Sequence, residues 1–429
     1  MSKTIRKIDP VPKVNAEIRL PGSKSVSHRA LIVAALADGE SEIRNLLEAE
    51  DTLLTMRALE MLGVRFVREE NLVRVFPPES RWVQPSGPIL LGNSGTSTRL
   101  LLAVAAAGKG TFTFDGSPRL RERPIGPVIE ALEQLGVRCR YLGRPGFPPV
   151  EITSGGLEGG DVLVDASRSS QFLSAVLIAA PLARREVRVS WKEPVASFPY
   201  VAITLAMMET AGVETRRAGG NCIAVPAPAA YRPLRFTVEG DCSSASYFWA
   251  AAALTAGEVT TYPVFPDSSQ GDCRLLDILQ HMGCSVVMGQ ESVWVNGPEE
   301  LKAVDVDMNG MPDVVPTLAV VAAFAPGTTR IRNVAHLRLK ESDRLRAVAT
   351  ELRKFGVPVR ELPDGLEIEG GSVHPPWAGI EVYNDHRIAM AFALAGLRVE
   401  GVEIHGAEAV SKSFPNFWEA FEQLKGPNA

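Results

Sequence analysis

The chain has 429 residues, 45% of them hydrophobic, and carries a formal net charge of −5. That composition supplies sizeable cores and excludes a disordered chain, while the acidic balance excludes a general nucleic-acid or membrane-surface binder. No apolar run approaches the roughly 18 residues a membrane span needs, and the start MSKTIRKIDPVPK lacks an apolar signal core, so a cytoplasmic protein is expected. Five cysteines (Cys139, Cys222, Cys242, Cys273, Cys284) include no CxxC pair, and six histidines no HExxH spacing. Neither a disulfide framework nor a protein-bound metal is therefore expected, and nothing calls for a cofactor.

Residues 20–40, LPGSKSVSHRALIVAALADGE, read as a loop running into a helix, with Ser23 as N-cap and 30–37 as its apolar run. Lys24 and Arg29 crowd that start, where the helix dipole disfavours cations by roughly 0.3–1 kcal/mol each. Either an anion sits there or both side chains swing out into water. The next helix, DTLLTMRALEMLG, sets Leu53, Met56, Leu59 and Leu62 on one face and stops at Gly63, and LVRVFP (72–77) follows as a strand.

The same loop-to-helix pattern then recurs as GNSGTSTRLLLAVAA, ASRSSQFLSAVLIAA, GDCSSASYFWAAAAL, NGMPDVVPTLAVVAAF and YNDHRIAMAFALAG. Taking Lys24, Gly95, Ser170, Ser243, Asp313 and His386 as markers, the spacings are 71, 75, 73, 70 and 73. A second marker, the glycine after each following helix (Gly63, Gly136, Gly212, Gly283, Gly356, Gly426), has spacings of 73, 76, 71, 73 and 70. Two markers with one period define six repeats of about 72 residues. Strand-like runs VLVDA (162–166), CIAVPA (222–227) and VWVNG (293–297) alternate with the helices, so each repeat is α/β. The first helix of each repeat is apolar nearly all round and belongs inside; the second is amphipathic and belongs outside. Two domains of three repeats, meeting near residue 238, are the simplest arrangement.

Charge is unevenly shared among the helix starts. The first three offer Lys24, Arg29, Arg99 and Arg168 with Ser23, Ser25, Asn93, Ser94, Thr96, Ser169, Ser170 and Gln171, and such starts bind phosphate or carboxylate well. DGSPRLRERPIG (115–126) adds Arg119, Arg121 and Arg123, which as a plain charge run would face water. The last three mix signs. LRLKESDRLRAV (337–348) holds Lys340, Glu341 and Arg344; YNDHRIAMAF holds Asp385, His386 and Arg387; SKSFPNF holds Lys412. Asp313, before an all-apolar helix, is open to reading as its N-cap. Carboxylates among clustered cations weaken anion binding, so Asp313 and Glu341 suggest proton transfer and favour an enzyme over a non-catalytic anion-binding repeat protein.

At LPGSKSVSHRA, GNSGTSTRL, RERPIG, SSQFL, EGDCSSASYF, KESDRL and NDHRIAMAF the chain resembles, in order and over essentially its full length, the 5-enolpyruvylshikimate-3-phosphate synthases of the enolpyruvyl transferase family. The resemblance implies two similar domains, each an inside-out α/β barrel of three βαβαββ repeats. They comprise 21–238 and a discontinuous 1–20 with 239–429, with the active site in the cleft between them. It implies transfer of the enolpyruvyl group of phosphoenolpyruvate to the 5-hydroxyl of shikimate 3-phosphate, releasing phosphate, in chorismate and aromatic amino acid biosynthesis. A monomer without cofactor is expected. Asp313 and Lys24 would serve the hydroxyl, and Glu341 would protonate the methylene carbon. Shikimate 3-phosphate would be held by Lys24, Ser25, Arg29, Ser169, Ser170, Gln171, Ser197, Tyr200, Asp313, His336 and Lys340. Phosphoenolpyruvate would be held by Lys24, Asn93, Gly95, Arg123, Gln171, Arg344, His386, Arg387 and Lys412.

The chain departs from the family pattern in three places: His336 stands where many members have Asn, Leu100 where many have Pro, and Ser97-Thr98 where Ala-Met is common. The related UDP-N-acetylglucosamine enolpyruvyl transferases usually carry a Cys in the Arg-rich loop, and 115–126 has none. Gly95 implies, again by resemblance, room for the inhibitor glyphosate beside phosphoenolpyruvate's place.

Overall fold

The computed structural model describes residues 4–425; the last of the glycine markers, Gly426, lies outside them. The chain divides into two compact units, a central one of 22–238 and a terminal one of 1–21 with 239–429. Each has its own apolar core.

Twelve α-helices alternate in role along the described residues. In the central unit these are α1 (Lys24–Leu36), α2 (Glu50–Met61), α3 (Gly95–Ala106), α4 (Gly126–Gln134), α5 (Ser170–Ala179) and α6 (Pro199–Thr210). In the terminal unit they are α7 (Cys242–Thr255), α8 (Leu275–His281), α9 (Val315–Ala323), α10 (Arg344–Lys354), α11 (His386–Ala393) and α12 (Phe417–Glu422). The odd-numbered helices are the expected inner ones: every residue of α7, α9 and α11 is buried, and so is all of α1 except Ser25. Small Ala-rich faces let these helices pack closely, and apolar residues all round leave no side for water. The even-numbered α2, α4 and α10 each keep exposed positions beside a buried face.

The described residues form six sheets, and three of them obey one rule in full. A strand leading toward an inner helix pairs parallel to the strand leaving that helix, and the leaving strand then pairs antiparallel with a later one. Thus 89–90 pairs parallel with 109–115, which pairs antiparallel with 150–155; 305–307 pairs with 327–332 and then 365–370 in the same way. Each unit is closed by chain from its far end. In the central unit 235–237 lies parallel to 41–44. In the terminal unit 15–19 lies parallel to 258–262, and 5–8 antiparallel to 402–405. This is the inside-out α/β barrel of three repeats, built twice.

The glycine markers sit where φ is positive, +97° at Gly63, +88° at Gly136, +82° at Gly212, +110° at Gly283 and +77° at Gly356, so each ends its outer helix in the left-handed conformation that a Cβ disfavours. One expectation is corrected. Cys242, the first residue of α7, and Cys273, in the turn Gly271–Arg274, form a disulfide with Cα atoms 5.4 Å apart. Their 31-residue separation carries no sequence signal; they meet because Gln270 donates to the Gly240 carbonyl and accepts from Cys242 N, laying that turn over the start of α7. No described helix is long and apolar enough to cross a membrane.

Candidate active site

In the central unit the starts of α1, α3 and α5 are stitched together by polar side chains. Ser23 holds the N-cap position of α1, but its hydroxyl makes no cap hydrogen bond. Lys24, the first helical residue, sends Nζ to Asp51 Oδ2 at 3.3 Å, and both are buried. Arg29 does not swing into water: Nε donates to Thr204 Oγ1 at 2.7 Å, Nη1 to the Ser25 carbonyl at 2.8 Å and Nη2 to the Tyr200 carbonyl at 2.9 Å. Burial lowers its pKa to about 10, so it stays charged at neutral pH while clamping α1 to α6.

Arg99 is held twice by the Pro124 carbonyl, at 3.1 and 3.0 Å, and by Gln171 Oε1 at 2.8 Å, while Gln171 Nε2 donates to Thr96 Oγ1 at 2.9 Å. The first turns of α3 and α5 are joined in this way. Ser169 caps α5 by accepting from Gln171 N, and Ser170 is buried beside it. The basic loop divides. Arg119 pairs with Glu122 and Arg121 with Asp115 on the surface, and Arg168 is likewise exposed. Arg123 instead turns inward, 3% exposed, with Nη1 donating to the Asn93 carbonyl at 2.8 Å. Its guanidinium occupies the space over Gly95, where a Cβ would lie 2.6 Å from Cζ and Nη2. Ser197 is buried with φ of +60°, a left-handed conformation costing roughly 1–2 kcal/mol for a residue with a Cβ, and leads into α6 and half-buried Tyr200.

In the terminal unit one guanidinium gathers the charged residues. Arg344, 1% exposed, donates from Nε to Asp385 Oδ2 (2.8 Å), from Nη1 to Asp313 Oδ1 (2.9 Å) and from Nη2 to Glu341 Oε2 (2.9 Å). Burial works against its charge, but Asp385, Glu341 and Asp313 together raise its pKa. Arg387 Nη2 takes the other Asp313 oxygen at 2.8 Å, and Lys340 Nζ stands 4.0 Å from Asp313 Oδ1. Asp385 caps α11 through Arg387 N, after two left-handed residues, Tyr383 and Asn384. His386 and Lys412 are both buried.

Asp313 is not the cap of α9: it lies in the short turn Pro312–Val314, and Val314 holds the N-cap position. Lys340 and Arg344 do not share a helix, since α10 begins at Arg344 behind its cap Asp343. His336 is buried in the turn Ala335–Leu339; burial, with Lys340 nearby, lowers its pKa to about 3 and keeps it neutral. A neutral imidazole resembles the Asn amide it replaces in carrying both donor and acceptor.

The sequence reading missed Asp51, the partner of Lys24, and Asp272. Asp272 is 3% exposed, accepts from Ser243 Oγ, and faces Asp313 and Arg387; burial, then Asp313, pushes its carboxyl up to about 7. An acidic pair in the first turn of a helix (Glu50, Asp51) and an Asp inside QGD look locally like ordinary solvated residues.

A sequence profile described as EPSP synthase (3-phosphoshikimate 1-carboxyvinyltransferase) matches residues 8–421. The chain belongs to the EPSP synthase family. It is 61% identical over 425 residues to the 3-phosphoshikimate 1-carboxyvinyltransferase of Syntrophobacter fumaroxidans, covering 99% of this chain and 100% of that one. To the enzyme of the same name from Shewanella halifaxensis it is 43% identical over 426 residues, covering 97% and 99%. Among solved structures, an EPSP synthase from Acinetobacter baumannii superposes with a TM-score of 0.81 at 31% identity, covering 99% of this chain and 98% of that one. The shared EPSP synthase fold extends to both units.

Proposed function

We propose that the chain transfers the enolpyruvyl group of phosphoenolpyruvate to the 5-hydroxyl of shikimate 3-phosphate. The hydroxyl oxygen adds to C2 of phosphoenolpyruvate while C3 gains a proton, giving a tetrahedral ketal. The ketal then loses a proton from C3 and expels inorganic phosphate from C2. Family membership over the full chain supports the activity, and the observation that carries the chemistry is Arg344, one buried guanidinium shared by Asp313, Glu341 and Asp385.

Lys24, Ser25, Arg29, Ser169, Ser170, Gln171, Ser197, Tyr200, His336 and Lys340 hold shikimate 3-phosphate in this reading. Asn93, Gly95, Arg123, Gln171, Arg344, His386, Arg387 and Lys412 hold phosphoenolpyruvate, and Lys24 serves both. Asp313, with Lys24, removes the hydroxyl proton; Glu341 delivers a proton to C3 and takes one back. In the structure these two carboxylates lie on Arg344 and Arg387. An incoming phosphate or carboxylate competes for the same N–H groups. As it displaces them, the oxygens of Asp313 and Glu341 are freed from those N–H groups to exchange protons with the substrates. Substrate binding thus switches on the proton-transfer groups.

Phosphate release from a mixture of phosphoenolpyruvate and shikimate 3-phosphate tests the activity. Turnover with UDP-N-acetylglucosamine in place of shikimate 3-phosphate would overturn the acceptor assignment.

A further inference from the structure

A chain of fully buried polar side chains, unused by the chemistry above, links three helices of the central unit. His28 lies one turn after Lys24 on α1, Thr55 one turn after Asp51 on α2, and Ser97 in the first turn of α3 behind its N-cap Ser94. His28 Nδ1 is 2.8 Å from Thr55 Oγ1, Thr55 Oγ1 is 2.7 Å from Ser97 Oγ, and Ser97 Oγ is 2.7 Å from Ser94 Oγ. Ser97 Oγ also donates to the Asp51 carbonyl at 3.3 Å, and the Asp51 carboxylate is the one that holds Lys24. His28, Thr55, Ser94 and Ser97 are all 0% exposed in an otherwise apolar core.

Counting protons gives the chain a direction. Each hydroxyl has one proton to donate. Thr55 Oγ1 and Ser97 Oγ both reach the Asp51 carbonyl, at 3.5 and 3.3 Å; with the nearer Ser97 giving its proton there, its oxygen accepts from both Ser94 and Thr55. Thr55, having donated to Ser97, must accept from His28. Every close contact then holds one proton, provided His28 carries hydrogen on Nδ1. With Nδ1 bare, Thr55 turns to donate there. Ser97 must then either abandon the Asp51 carbonyl or leave two oxygens 2.7 Å apart with no proton between them. Buried polar chains of this kind fix one geometry when fully satisfied and are unfavourable when broken.

We propose that Thr55 and His28 are positioning residues for phosphoenolpyruvate: through Ser97 they orient the hydroxyl of Ser94 and so hold the first turn of α3, with Gly95 and the Asn93 carbonyl that anchors Arg123. This rests on the reading that Asn93, Gly95 and Arg123 hold that substrate. The same turn is held by Thr98, whose N and Oγ1 both donate to the Ser94 carbonyl, at 3.1 and 2.8 Å; the hydroxyl chain adds the orientation of the Ser94 side chain.

The test is the pair Thr55→Val, which keeps the shape and removes the hydroxyl, and Thr55→Ser, which keeps the hydroxyl. Ser97→Ala serves as a second break, and Gly95→Ala reports on the pocket. Loss of one buried hydrogen bond predicts a rise of about fivefold in KM for phosphoenolpyruvate in Thr55→Val and Ser97→Ala. In those variants kcat and KM for shikimate 3-phosphate stay within about twofold, and Thr55→Ser stays near the parent. The imidazole ¹⁵N resonances of His28, assigned by His28→Gln in the ligand-free protein, move from an Nδ1-protonated pattern in Thr55→Val and remain unchanged in Thr55→Ser. If Gly95→Ala raises KM for phosphoenolpyruvate but Thr55→Val does not, the chain has no positioning role and the pocket stands. If neither variant moves it, the pocket reading fails and this proposal fails with it. If Thr55→Val and Thr55→Ser lower Tm and impair both substrates equally, the chain serves only folding and the proposal is overturned.

Discussion

Asp272 offers the sharpest check on the electrostatics of the terminal unit. Its carboxyl is pushed from 3.8 to about 7, first by burial and then by Asp313; Asp241 adds to the rise, while Arg387 and the Ser243 hydroxyl oppose it. Between those two values the folded protein holds a proton that the unfolded chain has released. The folded state therefore binds more protons, and stability falls as pH rises from about 4 to about 7, then levels off. At about 1.4 kcal/mol per unit, this contribution changes by roughly 2–3 kcal/mol between about pH 5 and about pH 8. Asp272→Asn keeps an oxygen to accept from Ser243 and cannot ionise, so its stability lacks this slope. Urea unfolding of parent and variant at both pH values reads the effect of Asp272 with the carboxylates coupled to it, since titrating groups remote from it cancel in the double difference. The variant gains on the parent by that amount at the higher pH. Parallel stability profiles, or a variant that loses ground as pH rises, would refute the reasoning.

Asp313→Asn and Glu341→Gln are each expected to lower kcat by at least about 10²-fold, as loss of a general acid or base does, with shikimate 3-phosphate still binding; calorimetric titration and steady-state kinetics check this, and near-normal turnover in both removes the assigned roles. Gly95→Ala forces a Cβ to within 2.6 Å of the Arg123 guanidinium. That cation must shift, so KM for phosphoenolpyruvate rises, and inhibition by the bulkier glyphosate weakens further, by at least about tenfold or 1.4 kcal/mol. Unchanged inhibition would show that Gly95 does not line the pocket. His336→Asn retains activity within about threefold between about pH 6 and about pH 8, because the imidazole, lowered to about 3, is already neutral there; a pH–rate limb near 6 that vanishes in the variant contradicts this.

The repeat architecture was legible because two of its features answer physical constraints that recur in every repeat. Among the described residues a glycine follows α2, α4, α6, α8 and α10 where φ turns positive, and the inner helices are apolar nearly all round, as burial on every side requires. The cations at helix starts were legible for a similar reason: Lys24 and Arg344 stand where a lone helix would not place them. Their partners were not. Asp51 and Asp385 occupy positions where carboxylates are ordinary, in a first turn and at an N-cap, and only the fold brings their oxygens to Lys24 and Arg344. Cys273 and Asp272 were invisible together, because the turn carrying both is aimed by Gln270. The Arg-rich loop defeated a reading from composition, since three similar arginines share five residues and only Arg123 turns inward. What separates it is the missing side chain at Gly95, 28 residues earlier, which leaves space for a guanidinium.

The two units neutralise their buried arginines differently, although Lys24 of the central unit is itself paired with the Asp51 carboxylate. In the central unit Arg29, Arg99 and Arg123 donate to the carbonyls of Ser25, Tyr200, Pro124 and Asn93, to the Gln171 amide and to the Thr204 hydroxyl. Dipoles of this kind orient a guanidinium without cancelling its charge, so this unit keeps an attraction for dianionic substrates. In the terminal unit Arg344 and Arg387 are met by Asp313, Glu341 and Asp385. A buried cation matched by carboxylates adds little net attraction, and its desolvation is only partly repaid. Such a cluster is poor at drawing in an anion but good at holding carboxylates ready to be exchanged for one. On the proposed assignments, the arginines of the central unit serve mainly affinity, and the carboxylates of the terminal unit, together with Lys24, serve proton transfer. On this division, replacing Arg123 by Met weakens phosphoenolpyruvate binding steeply with a modest change in kcat. Replacing Arg387 by Met frees one oxygen of Asp313 and acts chiefly on kcat and its pH profile. The reverse pattern, with Arg123 governing kcat and Arg387 only KM, would contradict the division.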